Sequence, residues 1–128
     1  MHGRANVLVV DDEPAASEYV AAILGLQGYA TSTVSTAEDA LRAMKESPVD
    51  LMVLDAALGQ TDGLEVLARV KAAHPELPVI MLSGNNFEDK RATEARRQGA
   101  TAYLSKTLAP GQLMLEARNA LRAREKTR

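Results

Sequence analysis

Four apolar residues in a row, Leu51 to Leu54, stand between Asp50 and Asp55. A short uninterrupted apolar run bounded by polar residues reads as a strand buried on both faces. Such strands belong to parallel sheets with helices packed above and below. A second run, Val7 to Val10, ends in Asp11, Asp12 and Glu13. In open α/β sheets, ligands bind beyond the carboxyl ends of the strands. Two buried strands that both emerge into acid therefore predict one acidic pocket, and that pocket bounds what the chain can do.

The rest of the chain alternates strand and helix around these runs. The first strand spans Asn6 to Val10, and Pro14 suits the first turn of the helix that follows, with an acid just before it to cap the amides. Tyr19, Val20, Ile23 and Leu24 recur at helical spacing to about Leu26, and Gly28 stops the helix. Ala30 to Val34 is a more polar strand, suited to an edge. Thr36 is an N-cap followed by acids, and Ala37, Ala40, Leu41 and Met44 form the apolar stripe. The third strand leads to Asp55, and a loop covers Ala56 to Asp62. Leu64, Val66, Leu67 and Val70 mark the next helix. Val79 to Leu82 is the fourth strand, residues 88–98 a largely exposed helix, and Thr101 to Leu104 the fifth strand. Pro110 opens the last helix, with Leu113, Ala117, Ala120 and Leu121 facing inward.

Five βα units with short connections give an α/β fold: a five-stranded parallel sheet, order 2-1-3-4-5, doubly wound with five helices in the flavodoxin-like manner. The 128 residues fit a single domain, with a core over 5–123 and a tail at 124–128 that frays or starts a linker. Aromatic residues are 3% of the chain, so the core is aliphatic and the methionines are packing residues. Without cysteine there is neither a disulfide scaffold nor a thiolate metal site. No apolar run approaches membrane-spanning length and no leader-like segment precedes the first strand, so the expectation is a soluble, cytoplasmic protein with no membrane partner.

The net charge of −2 hides an asymmetry. Residues 1–62 carry 10 acids and 3 bases; residues 63–128 carry 7 acids and 12 bases. The bases are spread over several elements with few aromatics between them, which argues against direct nucleic-acid binding. They suit solvated helix faces, or a basic surface for a protein partner.

Strands one, three, four and five end in Asp11 with Asp12, Asp55, Ser83 and Lys106. The strand order reverses between strands one and three, so these ends should meet in one crevice. Crowded carboxylates favour a hard divalent cation, and oxygen ligands with partial hydration favour Mg²⁺. A lysine and a hydroxyl opposite them suit phosphoryl transfer, where charge neutralisation and positioning do most of the work. A carboxylate can itself be the nucleophile and form an aspartyl phosphate. Asp55, alone at the end of the central strand, is the candidate. Singly, an aspartate after a strand is as readily a turn former or a helix cap; it is the constellation that carries the chemistry. His2 and His74 lie away from these strand ends and read as surface residues.

The same residues resemble the receiver domain of two-component response regulators over nearly the whole chain. Val-Val-Asp-Asp-Glu-Pro resembles that family's acidic metal site, and Asp55-Ala56-Ala57-Leu58 with Asp62-Gly63 its phosphoacceptor loop. Leu82-Ser83-Gly84 resembles its hydroxyl switch position. Gly99-Ala100 and Tyr103-Leu104-Ser105-Lys106 resemble its last strand and lysine. The resemblance implies that Asp55 accepts phosphate from a histidine kinase or a histidine phosphotransfer protein. It implies Mg²⁺ held by Asp11, Asp12, Asp55 and the carbonyl of Ala57. It implies that Ser83 and Lys106 hold phosphoryl oxygens, and that Tyr103 rotates inward as Ser83 moves toward the phosphate. The changed surface, across the fourth helix, fifth strand and fifth helix with Lys90, Arg91, Arg96 and Arg97, would meet a downstream protein or a fused output domain.

Two positions depart from the family pattern. Thr107 stands where a proline usually follows the lysine, and Gly59 where the loop often has a proline. Many family members pair through acids at the start of the fifth strand; Thr101 and Ala102 stand there, leaving Arg118 and Arg122 without those partners. The unphosphorylated protein should therefore be a monomer or weak dimer. One rival reading is a degenerate receiver acting as a phosphorylation-independent interaction module, which predicts a lost acid or lysine. Another is a phosphatase, which would want a general acid where Ala57 stands. A flavodoxin-like cofactor site would want a Gly-rich turn where Asp11, Asp12 and Glu13 repel phosphate.

Overall fold

The two apolar runs become neighbouring central strands of a single parallel sheet. The structure, a computed structural model, describes residues 4–84 and 89–127, with backbone only at 89, 126 and 127. Chain order is β1 (Asn6–Val10), α1 (Pro14–Leu26), β2 (Ala30–Val34), α2 (Ala37–Glu46), β3 (Leu51–Asp55), β4 (Ala57–Leu58), β5 (Thr61–Asp62), α3 (Gly63–Ala73), β6 (Val79–Ser83), α4 (Asp89–Arg97), β7 (Ala102–Ser105) and α5 (Pro110–Thr127). The main sheet runs β2-β1-β3-β6-β7, all pairs parallel. Counting its five strands in chain order, this is the expected 2-1-3-4-5.

Side chains alternate along each strand, so an unbroken apolar run feeds two cores at once. Leu8, Val10, Met52, Leu54, Val79 and Met81 face one side, where Met44 of α2, Leu67 and Val70 of α3, and Ala92 and Ala95 of α4 cover them. Val7, Val9, Leu51, Val53, Ile80 and Leu82 face the other, against Val20, Ile23 and Leu24 of α1 and Leu113, Ala117 and Ala120 of α5. Each fully buried leucine of this kind contributes about 1.5–3 kcal/mol of transfer free energy. Cutting Leu54 back to alanine at the sheet centre would cost about 2–5 kcal/mol, because a cavity is left as well. β2 is half exposed along its length, as its polar residues require of an edge strand.

The helix signals act locally, with one exception. Thr36 caps α2, its hydroxyl oxygen accepting from the Asp39 amide at 3.0 Å. Asp62 caps α3, accepting from the Leu64 amide at 2.9 Å. Pro14 opens α1 as expected, yet Glu13 makes no side-chain cap. Its carboxylate turns instead to Lys106, at 3.1 Å.

Three further details depart from the sequence expectation. The loop between Asp55 and α3 folds into an antiparallel β4–β5 hairpin. The last helix extends to Thr127, taking in most of the expected tail at 124–128. Within it, the Arg124 guanidinium donates to the Val49 carbonyl at 2.9 Å, just before β3. His74 is half-buried as the C-cap of α3, its amide donating to Val70. His2 and the first residue of the expected 88–98 helix lie outside the described residues.

Candidate functional site

The strand ends meet because the sheet is in register. Val10 pairs with Leu54, Asp55 with Leu82, and Ser83 with Ser105. The ladder carries on past the strands: the Ala56 amide donates to Leu82 at 2.8 Å, and the Lys106 amide to Ser83 at 2.8 Å. Asp11, Asp55, Ser83 and Lys106 therefore gather at the carboxyl edge.

Asp55 is 4% exposed. Its Oδ1 accepts from the Ala57 amide at 3.0 Å, and its Oδ2 from the Lys106 ammonium at 3.2 Å. The same ammonium lies 3.0 Å from Asp11 and 3.1 Å from Glu13. Burial pushes the Asp55 carboxyl up to about 6; the Ala57 amide pulls against it, Asp11 adds to it, and Lys106 restrains it. Burial pulls the Lys106 ammonium down, but the bonds it donates to Asp11 and Glu13 and the charge of Asp55 outweigh it and hold the lysine above its ordinary range.

Asp11, Asp12 and Asp55 each offer a carboxylate oxygen, and the three oxygens lie within 4.8 Å of one another. Asp11 and Asp55 are buried and Asp12 is exposed. An all-oxygen set with one open side fits a partly hydrated Mg²⁺. The hairpin turn closes over it: a Cβ on Gly59 would sit 3.5 Å from Asp12 Oδ2. Gly59 has φ +62, in the left-handed region. Proline, fixed near −65°, has no access to that turn.

Thr107 does not displace the lysine. The Lys106–Thr107 bond is trans, like every peptide bond among the described residues. The turn is held by the Thr107 amide donating to Ser105 Oγ at 3.1 Å, and by a 2.7 Å bond between the two hydroxyls.

Ser83 is 7% exposed. It lines a cavity of about 320 Å³ with Ala56, Ala57, Asp62, Arg91 and Tyr103. Tyr103 is 2% exposed, so its ring is already buried, whereas the expected switch starts from a ring that has yet to turn inward. The reason is its place in β7: it pairs with Met81 and joins the core facing α2, α3 and α4.

Arg91 makes more contacts than a solvated basic surface requires. Lys90, Arg96 and Arg97 are exposed, as a basic partner surface requires. Arg91 instead folds back: its Nη2 donates to Asp62 at 2.8 Å and to the Ala56 carbonyl at 3.1 Å. The Asp62 and Tyr103 side chains hydrogen-bond its guanidinium and hold it well above the usual arginine range. A signal was present: Ala92 and Ala95 mark the inward stripe of α4, and position 91 stands one turn before Ala95. Arg118 and Arg122 are exposed and make no ion pair with a described residue.

The response regulator receiver domain family matches residues 7–118. The chain belongs to that family. It is 38% identical over 119 residues to the nitrogen assimilation regulatory protein NtrX of Azorhizobium caulinodans, covering 91% of this chain and 26% of that one. It is 34% identical over 124 residues to the alginate biosynthesis transcriptional regulatory protein AlgB of Pseudomonas aeruginosa, covering 97% and 27%. The crystal structure of the receiver domain of NtrX from Brucella abortus superposes with a TM-score of 0.86 at 39% identity, covering 91% of this chain and 98% of that one. This receiver domain thus spans about a quarter of the length of those two full-length relatives. Among the described residues, no helix is long and apolar enough to cross a membrane.

Proposed function

We propose that this receiver domain is a phosphorylation switch in which Asp55 is the acceptor. The observation that carries the reading is the placement of Asp55: buried, bonded to Lys106, and within one carboxylate cluster with Asp11 and Asp12. Asp11, Asp12, Asp55 and the Ala57 carbonyl would hold Mg²⁺, which supplies neutralisation of charge on the transferring group. An Asp55 oxygen attacks phosphorus, the P–N bond of a partner's phosphohistidine breaks, and the imidazole leaves, taking a proton. Lys106 pairs with a phosphoryl oxygen as it comes within reach, and Ser83 donates to another. The donor is a histidine kinase or a phosphotransfer protein. An apolar cavity of about 350 Å³ between α1 and α5 opens beside Lys106 and suits the approach of such a partner.

The domain is a switch and not a turnover enzyme; its only chemistry is its own phosphorylation and the hydrolysis that reverses it. Output passes through α4, β7 and α5 to a downstream protein or a fused output domain. The relatives are transcriptional or nitrogen regulators by name, and a fused output would accord with the short share of their length that this chain covers. Exposed Arg118 and Arg122 favour a monomer or weak dimer before phosphorylation. The rival reading, a phosphorylation-independent module, has nothing to recommend it while every acid and the lysine are present.

The test is incubation with Mg²⁺ and acetyl phosphate. One phosphate should be gained, labile to hydroxylamine, and Asp55→Asn should gain none. Equal labelling of that variant removes Asp55 from the mechanism.

A further inference from the structure

α4 belongs to the proposed output face, yet Arg91 in its first turns reaches the acceptor loop. Arg91 Nη2 donates to the Ala56 carbonyl at 3.1 Å, and Nη2 and Nη1 grip the two Asp62 oxygens at 2.8 and 3.4 Å. The Ala56 carbonyl also accepts from the Gly63 amide at 2.9 Å. Two donors therefore fix the peptide plane between Ala56 and Ala57. The amide of that plane is the one that donates to Asp55 Oδ1 at 3.0 Å. Two hydrogen bonds through one peptide unit thus link Arg91 of α4 to the acceptor carboxylate. With its side chain 32% exposed, Arg91 is partly shielded from water, which preserves the strength of a charge-assisted bond.

We propose that Arg91 is a positioning residue for phosphorylation: by clamping the Ala56 carbonyl and Asp62 to α4, it sets the orientation of the Asp55 carboxylate. The proposal rests on Asp55 as acceptor and adds a consequence. Whatever moves α4 changes the reactivity of Asp55, because the two share one bonded plane. By linkage, a partner bound to α4 and a phosphoryl group on Asp55 then bias each other's binding equilibria by the same factor. The Tyr103 side chain, bonded to the same guanidinium, places the buried ring on this route too.

Four variants of the full chain test this: Arg91→Ala, Arg91→Lys, Asp62→Asn and the double Arg91→Ala/Asp62→Asn. Asparagine keeps the α3 cap, so Asp62→Asn removes chiefly the charge. Circular dichroism checks folding, and two readouts follow. The first is the labelling rate with acetyl phosphate and Mg²⁺. Arg91→Ala should lower it roughly three- to tenfold, as expected for one partly exposed charged bond. Asp62→Asn should do the same, the double variant no more, and Arg91→Lys should recover part of the loss. The second readout is amide NMR without metal or donor: Ala57 and Gly63 should shift, and their hydrogen exchange accelerate, in Arg91→Ala. Wild-type labelling and unshifted amides in Arg91→Ala overturn the proposal, as do additive losses in the double variant. If the wild type is not labelled, the acceptor reading fails, while the metal-free spectra still decide whether Arg91 holds the loop.

Discussion

Lys106 Nζ lies 3.2 Å from Asp55 Oδ2, although 51 residues separate them in the chain. The ammonium also reaches Asp11 and Glu13, so one cation serves three carboxylates. Asp11 and Asp55 are buried, and a buried carboxylate without a partner is costly. Lys106→Met should therefore destabilise the metal-free protein at neutral pH by about 1–3 kcal/mol. Mg²⁺ should return part of that loss by supplying the missing positive charge. Urea unfolding with and without Mg²⁺ measures both, and an unchanged midpoint would show that the lysine contributes nothing to the resting site.

Asp55 has the opposite balance. Its carboxyl is raised from 3.8 to about 6, so the folded protein disfavours its ionised form. The unfolded chain pays no such cost. The penalty is absent below the unfolded value near 4, grows as pH rises, and is complete above about 6. Asp55→Asn cannot ionise and escapes it. Without divalent cations, the variant should exceed the wild type in stability by about 1–3 kcal/mol at pH 7. The advantage should shrink as pH falls from 6 to 4. Denaturant melts at pH 7 and pH 4.5 check this, and a variant less stable than wild type at pH 7 would reverse the sign.

Gly63 meets the acceptor loop backbone to backbone. A Cβ there would lie 2.6 Å from the carbonyl oxygens of both Asp55 and Ala56. Alanine is favoured over glycine inside a helix by about 1 kcal/mol. Here the overlap is with two main-chain atoms that cannot rotate away, so the clash should win. Gly63→Ala should cost about 1–3 kcal/mol net, in the range of an overpacked core. It should also slow labelling, since the carbonyl that must yield belongs to Asp55 itself. Thermal melts and acetyl phosphate labelling would show it; a stabilised variant would mean that the loop gives way freely.

The sheet and most of the site were legible in the sequence because their signals are local. Leu51 to Leu54 and Val7 to Val10 are unbroken apolar runs, short enough to suit strands of a sheet covered on both faces. The acids and the lysine directly follow strands, so strand order alone brings them together. What escaped depends on partners far along the chain. Glu13 looks like a helix cap until Lys106 stands opposite it. Arg91 looks like surface charge until Asp62 and the Ala56 carbonyl come within reach. Arg124 looks like the start of a frayed tail until Val49 offers a carbonyl. Tyr103 looks like a ring with room to move inward until its register beside Met81 buries it.

That buried ring changes what the proposed phosphorylation would have to do. A phosphoryl group on Asp55 brings roughly two negative charges and strong acceptor oxygens. The Ser83 hydroxyl, at the end of β6 beside the acceptor strand, can donate to one of them. A ring that is 2% exposed gains nothing further from burial, so the transmitted change falls on what its hydroxyl touches. Arg91 is among its neighbours, and through it α4. Phosphate shifts the equilibrium only as far as it favours one arrangement over the other. One hydroxyl contact is about 1–2 kcal/mol of that preference, enough to change a population severalfold. Ser83→Ala should therefore still be phosphorylated but switch weakly. Tyr103→Phe should keep its fold, because the ring remains, and should weaken the coupling of α4 to the site, since the Arg91 bonds to Ala56 and Asp62 stay in place. Amide NMR with and without a phosphoryl mimic would compare the three proteins. The wild type should show shifts at Ser83, Tyr103 and through Ala92–Gln98, and both variants should show smaller ones in α4. Equal α4 shifts in Ser83→Ala would show that the signal leaves the site by another path.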